Sequence, residues 1–326
     1  MTNARQIISM IRSHAAGDDD RFLSIAEEIA GDAERAGKTK VAEEVQRLVD
    51  SIRADTASRS GQRVTPLAKA RGELAGLIRA SYPEETLSDL VLSPGLERQV
   101  RRVVREHRER AALEERGLRP RRKFLFSGPP GTGKTMTAAA IAGELGLPLF
   151  TILLDGVITK FMGETAAKLR LIFDAMQTTR GVYFFDEVDA LATRRGSDND
   201  IGEARRMLNS FLQFLEEENS GAIVIAATNH RTLLDPAIFR RFHGSFLYGT
   251  PSAEEARKVM RNHLVQFDRD AIDWQAVDAA TSDLSHADLA AAAEDAARDA
   301  VLENGGILTA ELLVRALHDR AELHTH

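Results

Sequence analysis

One stretch of the sequence has the residue types and the spacing that bind phosphate groups. Its residues, Gly128-Pro129-Pro130-Gly131-Thr132-Gly133-Lys134-Thr135, match G-x-x-x-x-G-K-[ST]. The apolar run Phe124–Phe126 precedes it, and a helical pattern from Met136 follows it. In such a turn the backbone N–H groups and the helix N-terminus attract phosphate, Lys134 reaches the β- and γ-phosphates, and the Thr135 hydroxyl binds Mg²⁺. We therefore predict a nucleotide-binding P-loop; the alternative is a glycine-rich turn that matches by chance.

Polar side chains at the ends of two further apolar runs can complete a hydrolytic site. Asp186 and Glu187 follow Val182–Phe185, and Asn229 lies just beyond Ala222–Ala227. In open α/β sheets, ligands bind at the carboxyl ends of the parallel strands. There Asp186 can hold Mg²⁺, Glu187 can orient and deprotonate the attacking water, and Asn229 can fix that water by hydrogen bonding. Without the P-loop, these would be ordinary strand-end acids and a turn asparagine.

Arg240 and Arg241 form a third candidate feature. Two adjacent arginines are usually surface charge. Arginine can also stabilise the charge on a transferring phosphoryl group, often from a neighbouring subunit. The residue types by themselves leave both interpretations open.

The elements that must position these residues follow an alternating pattern. Apolar runs typical of strands are separated by helical stretches, at 124–126, 149–153, 182–185, 222–227 and 245–247. This alternation predicts an α/β fold, a parallel sheet with helices on both faces. Beyond Pro251 only helices are predicted, with capping boxes at Ser252 and Ser285.

The N-terminal part has a different composition. Residues 1–55 are predicted to form three short amphipathic helices, either a recognition module or a packing appendage. Residues 56–82 are interpreted as a polar linker followed by a helix around Leu67–Ala80. We therefore expect an α/β core over 83–250 and a helical lid over 251–326.

Composition excludes several classes of protein. With 326 residues, 43% of them hydrophobic, a sizeable core is expected. No cysteine is present, so thiolate metal sites and disulfides are excluded. No run is long enough to span a membrane and no signal peptide is predicted, which favours a cytoplasmic protein. The net charge of −6 gives no general reason to expect nucleic acid as a partner.

Residues 98–123 form a basic segment, with eleven Arg or Lys against four Glu. Such a segment can bind nucleic acid. Its i,i+4 spacing of opposite charges favours a solvated helix face instead, with the pairs Arg102/Glu106, Arg105/Glu109 and Glu106/Arg110.

Taken together, the motifs resemble those of the AAA+ ATPases, AAA clade proper, over roughly residues 83–320. The matching segments are GPPGTGKT at 128–135, FFDEVDAL at 184–191, ATN at 227–229 and LDPAIFRRF at 234–242. The resemblance implies that Asn229 senses the nucleotide and that Arg240 and Arg241 act across subunits of a homo-oligomer, a hexameric ring. The two arginines are adjacent where many members space them, and His243 stands where Asp is common.

The resemblance also implies further binding residues. Lys160, Phe161, Met162 and Gly163 match the first pore loop, which grips an extended polypeptide in the ring's channel; 194–200 resembles the second. Met136 and the loop residues are expected to bind ATP. Contacts to its adenine end are expected from Asp89, Leu90, Val91, His263 and Ala287.

Three functions compete at this stage. The favoured one is ATP hydrolysis coupled to unfolding or disassembly of protein substrates threaded through the pore, with residues 1–55 binding the substrate or an adaptor. No H-E-x-x-H is present, so a separate protease is a possible partner. The alternatives are a nucleic-acid motor or loader and an ATP-dependent assembly switch.

Overall fold

A computed structural model describes residues 72–158, 163–191, 198–233, 236–269 and 272–323. They lie in one compact unit, Lys69–His326. The predictions for residues 1–55 and for Lys160, Phe161 and Met162 fall outside the described residues. Within the described part of the chain, no helix is long and apolar enough to cross a membrane.

A six-stranded sheet forms the centre of this unit. Its strands are β1 (Ile78–Ser81), β2 (Lys123–Ser127), β3 (Leu149–Ile152), β4 (Val182–Phe185), β5 (Ile223–Thr228) and β6 (Gly244–Leu247). They lie in the order β1-β3-β4-β5-β2-β6, and β2 to β6 are parallel as predicted. Every residue of β2, β4 and β5 is buried, which explains their continuous apolar runs.

The first strand corrects a prediction. A helix was expected around Leu67–Ala80, and the structure describes this stretch from Gly72 onward. It contains a short 3₁₀ helix, Gly72–Gly76, followed by β1, which pairs antiparallel with β3. Leu77 and Ile78 are buried against the sheet. Burial and a ladder of hydrogen bonds to β3 outweigh the helical propensity of this segment.

Eleven helices surround the sheet and follow it within the described residues. They are α1 (Pro94–Arg108), α2 (Arg110–Glu114), α3 (Lys134–Leu145), α4 (Leu154–Val157), α5 (Glu164–Thr178), α6 (Asp198–Glu217), α7 (Pro236–Phe239), α8 (Ala253–His263), α9 (Trp274–Ala279), α10 (His286–Glu303) and α11 (Ala310–Glu322). Both predicted capping boxes are present, at Ser252 and Ser285.

The basic run is largely paired, as its spacing predicts. The ion pairs Arg102–Glu106 and Arg105–Glu109 lie along α1. The pair expected between Glu106 and Arg110 was wrong. Because α1 ends at Arg108, Glu106 instead accepts from Arg121 at 2.8 Å, and Arg110 pairs with Glu114 at 2.6 Å.

Alternate residues of the strands build two hydrophobic clusters. Phe124 and Phe126 belong to one and Leu125 to the other, as side chains on opposite faces of a strand must. The helices from α8 to α11 enclose a third cluster of their own, around Met260, Leu289 and Leu317. The C-terminal helices therefore have an independent core.

Candidate active site

A cavity of about 520 Å³ lies between the carboxyl edge of the sheet and the C-terminal helices. The structure brings together most of the predicted site residues here: Asp89, Leu90, Val91, Pro130, Gly131, Thr132, Gly133, Lys134, Thr135, Met136, Asp186, Glu187, Asn229, His263 and Ala287. Such a volume matches that of small-molecule and cofactor sites. Gly128 and Pro129 lie behind the lining and contact Lys134 through their carbonyl groups.

The P-loop has the backbone shape that anion binding requires. Gly131 and Gly133 have φ angles of 72° and 90°, in the left-handed region that glycine tolerates. Lys134 begins α3, and its ammonium donates to the carbonyl oxygens of Gly128 and Pro129, each at 2.7 Å. Burial lowers the pKa of Lys134, and the carboxylates of Asp186, Asp189 and Glu187 oppose that effect. The loop therefore presents N–H groups and one cation to the cavity.

Oxygen ligands suited to Mg²⁺ converge beside the loop. The Thr135 hydroxyl donates to Asp186 Oδ2 at 3.1 Å, so one small shift lets both oxygens bind the same ion. Hydroxyl and carboxylate oxygens are the donors that Mg²⁺ prefers, together with phosphate and water. The residues present fit a magnesium nucleotide.

A carboxylate and an amide lie together at the adjacent strand ends. Asn229 Nδ2 donates to Glu187 Oε1 at 3.2 Å. Glu187 has a φ of 51°, which is strained for a residue with a side chain and occurs preferentially at functional sites. Such a pair can hold a water molecule and remove its proton.

The C-terminal helices supply the other wall of the cavity. The backbone N–H of Ala287 donates to Gly131 O at 3.0 Å and thereby connects α10 to the P-loop. His263 lines the cavity, and its Nδ1 lies 3.4 Å from Glu294 Oε1.

Asp89 lines the cavity from the segment before α1. Its carboxylate accepts hydrogen bonds from the backbone N–H and the hydroxyl of Thr86, which lower the pKa of Asp89.

Five further residues line the cavity that were not among the predicted binding residues: Leu92, Val259, Asn262, His286 and Ala290. Leu92, Asn262 and His286 are each adjacent in sequence to a predicted residue. Val259 and Asn262 share one face of α8, and His286 and Ala290 share one face of α10. His286 belongs to the capping segment that the sequence pointed to. Burial lowers its pKa, and Glu255 and the backbone of Val91 oppose that effect.

The arginine pair does not line this cavity. Arg241 Nε lies 2.7 Å from Glu216 Oε1, at the end of α6. Arg240 is exposed and has no hydrogen bond or ion pair to any described residue. Gly163, the described member of the predicted pore loop, has a φ of 90° and precedes α5.

Comparisons with known proteins agree with this geometry. The model of the ATPase family associated with various cellular activities (AAA) matches residues 124–249. An uncharacterized AAA family ATPase, y4kL, of Sinorhizobium fredii is 36% identical over 237 residues, which cover 73% of this chain and 72% of that protein. The ATP-dependent zinc metalloprotease FtsH 3 of Sphaerobacter thermophilus is 32% identical over 73% of this chain, which spans 50% of that protein's length.

A solved structure shares the fold. The crystal structure of the FIGL-1 AAA domain matches with a TM-score of 0.60 and 23% identity, over 74% of this chain and 85% of that one. Together with a full set of P-loop, acidic and amide residues around one cavity, these similarities decide the family. The chain belongs to the AAA family of ATPases.

Proposed function

We propose that this ATPase assembles as a homo-oligomeric ring, a hexamer, and hydrolyses ATP at sites shared between neighbouring subunits. One observation carries the proposal: among the described residues, the cavity gathers every predicted catalytic group except Arg240 and Arg241. Of the residues that the structure describes, Lys134 is the one Lys or Arg in the cavity lining. Phosphoryl transfer needs more positive charge at its transition state, which an arginine from a neighbour supplies.

Each residue of the site has a role in this mechanism. The P-loop N–H groups and Lys134 bind the phosphates, and Thr135 and Asp186 hold the metal. Glu187 orients the attacking water and takes its proton, while Asn229 fixes the Glu187 carboxylate and that water. Mg²⁺-ATP, when bound, supplies the scissile phosphoanhydride and the metal's charge.

The two walls of the cavity couple the nucleotide to movement. One wall is the sheet edge, and the other is formed by α8 and α10, joined to the P-loop through Ala287 and Gly131. A nucleotide in this cavity contacts both, so its hydrolysis and release change their relative angle. That change is the proposed source of mechanical work.

The proposed substrate is a polypeptide held by Phe161 and Met162 of the pore loop, in the cytoplasm. Gly163, the last residue of the predicted pore loop, directly precedes α5. Leu169 and Ile172 of α5 belong to the same hydrophobic cluster as Phe185 and Val188, which flank Asp186 and Glu187. Residues 1–55 are the proposed contact for the substrate or an adaptor. A separate protease is a further possible partner, since this sequence contains no H-E-x-x-H.

A substrate trap tests the proposal. Glu187→Gln keeps an amide oxygen for the Asn229 contact, so we expect it to bind ATP and lower turnover at least about 100-fold. Proteins retained by this variant with ATP in cell extract are compared with those retained by Glu187→Gln/Phe161→Ala. Loss of a retained protein from the double variant supports threading. Recovery of nucleic acid, or retention that ignores Phe161, contradicts it.

A further inference from the structure

His243 follows Arg240–Phe242, the arginine segment, and is bound to the start of β2 through its backbone and its side chain. The His243 N–H donates to Lys123 O at 2.7 Å. Its ring nitrogen Nδ1 accepts from the backbone N–H groups of Arg122, at 3.1 Å, and of Lys123, at 3.3 Å. A ring nitrogen accepts only when it carries no proton, so these contacts require a neutral imidazole with its proton on Nε2.

The side chains of Lys123, the first residue of β2, and of Arg122, the residue before it, hold the end of α6. Lys123 Nζ donates to the carbonyl oxygens of Leu215 and Glu216, and Arg122 donates to Glu218 O at 2.8 Å and pairs with the Glu218 carboxylate. These bonds satisfy carbonyl groups that a helix end leaves without partners.

The same last turn of α6 carries Glu216, which binds Arg241. The Arg241–Glu216 pair is therefore held from two sides, by His243 and by Lys123. Both attachments lead to the first residues of β2.

The strand β2 connects this attachment to the P-loop. It begins at Lys123, ends at Ser127 and leads directly into Gly128. It is fully buried and hydrogen-bonded to β5 on one side and β6 on the other. One rigid strand therefore has the subunit's own phosphate-binding loop at one end and the arginine segment at the other.

We propose that His243 is a positioning residue for the arginine pair. As the unprotonated acceptor of the Arg122 and Lys123 N–H groups, it sets where Arg240 and Arg241 are presented to the neighbouring subunit. This proposal rests on the proposed function, in which Arg240 and Arg241 act at the site of a neighbouring subunit. His243 is not among the described residues that line the cavity.

This role makes the presentation of the arginines sensitive to acid. Burial lowers the pKa of His243, the cations of Lys123, Arg122 and Arg121 lower it further, and Glu106 opposes them. The neutral ring and its two contacts are therefore present at neutral pH. They are lost as the pH falls through the lowered pKa of the folded protein, which lies below the ordinary histidine value of about 6.5.

Three variants test the proposal in the full-length chain. His243→Asn keeps an acceptor that does not titrate, His243→Ala removes the acceptor, and His318→Ala, at an exposed position of α11, is the control. ATP turnover is measured at saturating ATP between about pH 5.5 and pH 8, a range set by histidine titration. Nucleotide affinity is measured in parallel by titration with a fluorescent ATP analogue.

We expect His243→Ala to lower kcat about tenfold with an unchanged nucleotide Kd, since only the arginine supply is disturbed. We expect His243→Asn to keep kcat within about twofold and to lose the decline in turnover below about pH 6.5 that wild type shows. His318→Ala should keep the wild-type profile.

Two outcomes overturn the proposal. One is a wild-type kcat in His243→Ala; the other is a wild-type acid decline in His243→Asn, which also decides the matter if the alanine variant does not fold. Failure of the proposed function looks different, since removing both arginines in Arg240→Ala/Arg241→Ala would then leave the wild-type turnover unchanged.

Discussion

At the scale of single residues, Lys134 shows how the site is prepared for a ligand. Its ammonium bonds two loop carbonyls at 2.7 Å and lies among the carboxylates of Asp186 and Glu187. A phosphate oxygen carries negative charge where those carbonyl oxygens are neutral, so the ammonium gains a charge–charge attraction when it binds a phosphate.

We therefore expect Lys134→Ala to weaken nucleotide binding about 100-fold, the loss of two charge-assisted hydrogen bonds of roughly 1.5 kcal/mol each. Titration with a fluorescent ATP analogue measures the change. The matched control is Lys258→Ala, which removes an exposed lysine that pairs with Glu254 on α8. Undiminished affinity in Lys134→Ala would show that the loop is not the phosphate site.

The two arginines differ at this scale, although the sequence gives no reason to separate them. Arg241 is bound to Glu216 in its own chain, whereas Arg240 is exposed without a described partner. Arg240 is therefore ready to reach a neighbour, and Arg241 must first leave Glu216. We expect Arg240→Ala to lower turnover more than Arg241→Ala, at least tenfold against a smaller loss, in a steady-state ATPase assay. The reverse order would assign the main role to Arg241.

At the scale of elements, Gly95 and Gly128 have different reasons to be glycine. Substituting Gly95 tests helix propensity, and substituting Gly128 tests a close approach of two backbone segments. Gly95 lies in the first turn of α1, and an added Cβ there meets nothing within 4 Å. Gly128 has a φ of 155°, and an added Cβ there lies 2.3 Å from the Tyr248 carbonyl oxygen. One position accepts a methyl group and the other does not.

We expect Gly95→Ala to raise the free energy of unfolding by up to about 1 kcal/mol, because alanine is the better helix former. We expect Gly128→Ala to lower it by about 2 kcal/mol or more and to weaken ATP binding, because Tyr248, the residue after β6, must move away from the loop. Urea unfolding of both variants measures the difference. A Gly128→Ala protein as stable as wild type would contradict the close packing of Tyr248 on the P-loop.

At the scale of the whole molecule, the proposed ring makes each site depend on two chains. Glu187→Gln lacks the base of its own site but still offers both arginines. An Arg240→Ala/Arg241→Ala variant lacks the arginines but keeps its own base. Each should be inactive alone.

Mixing the two variants should restore activity, because about a quarter of the interfaces in a randomly mixed ring then hold an intact set. The ATPase rate of the mixture is measured against the two separate proteins. A mixture of Glu187→Gln with Lys134→Ala is the control, since both defects lie in a chain's own half of the site and cannot complement each other. An inactive first mixture would refute sharing of sites.

Several features of this molecule follow from local sequence because their causes are local. The P-loop requires glycines at fixed offsets, a helix start requires a cap, and buried parallel strands require unbroken apolar runs. The strands β2 to β6, the capping boxes at Ser252 and Ser285, and the AAA family could therefore be predicted from the residues.

Other features depend on contacts between residues far apart in the chain, which local patterns do not encode. Pairing with β3 made Ile78–Ser81 a strand, and Glu106 accepts from Arg121 where a pair with Arg110 was expected. Only the tertiary structure showed that the arginine pair lies outside the cavity lining of its own chain. It also made His243 an acceptor for the backbone N–H groups of Arg122 and Lys123 at the start of β2, a role set by two segments about 120 residues apart that the folded sheet brings side by side.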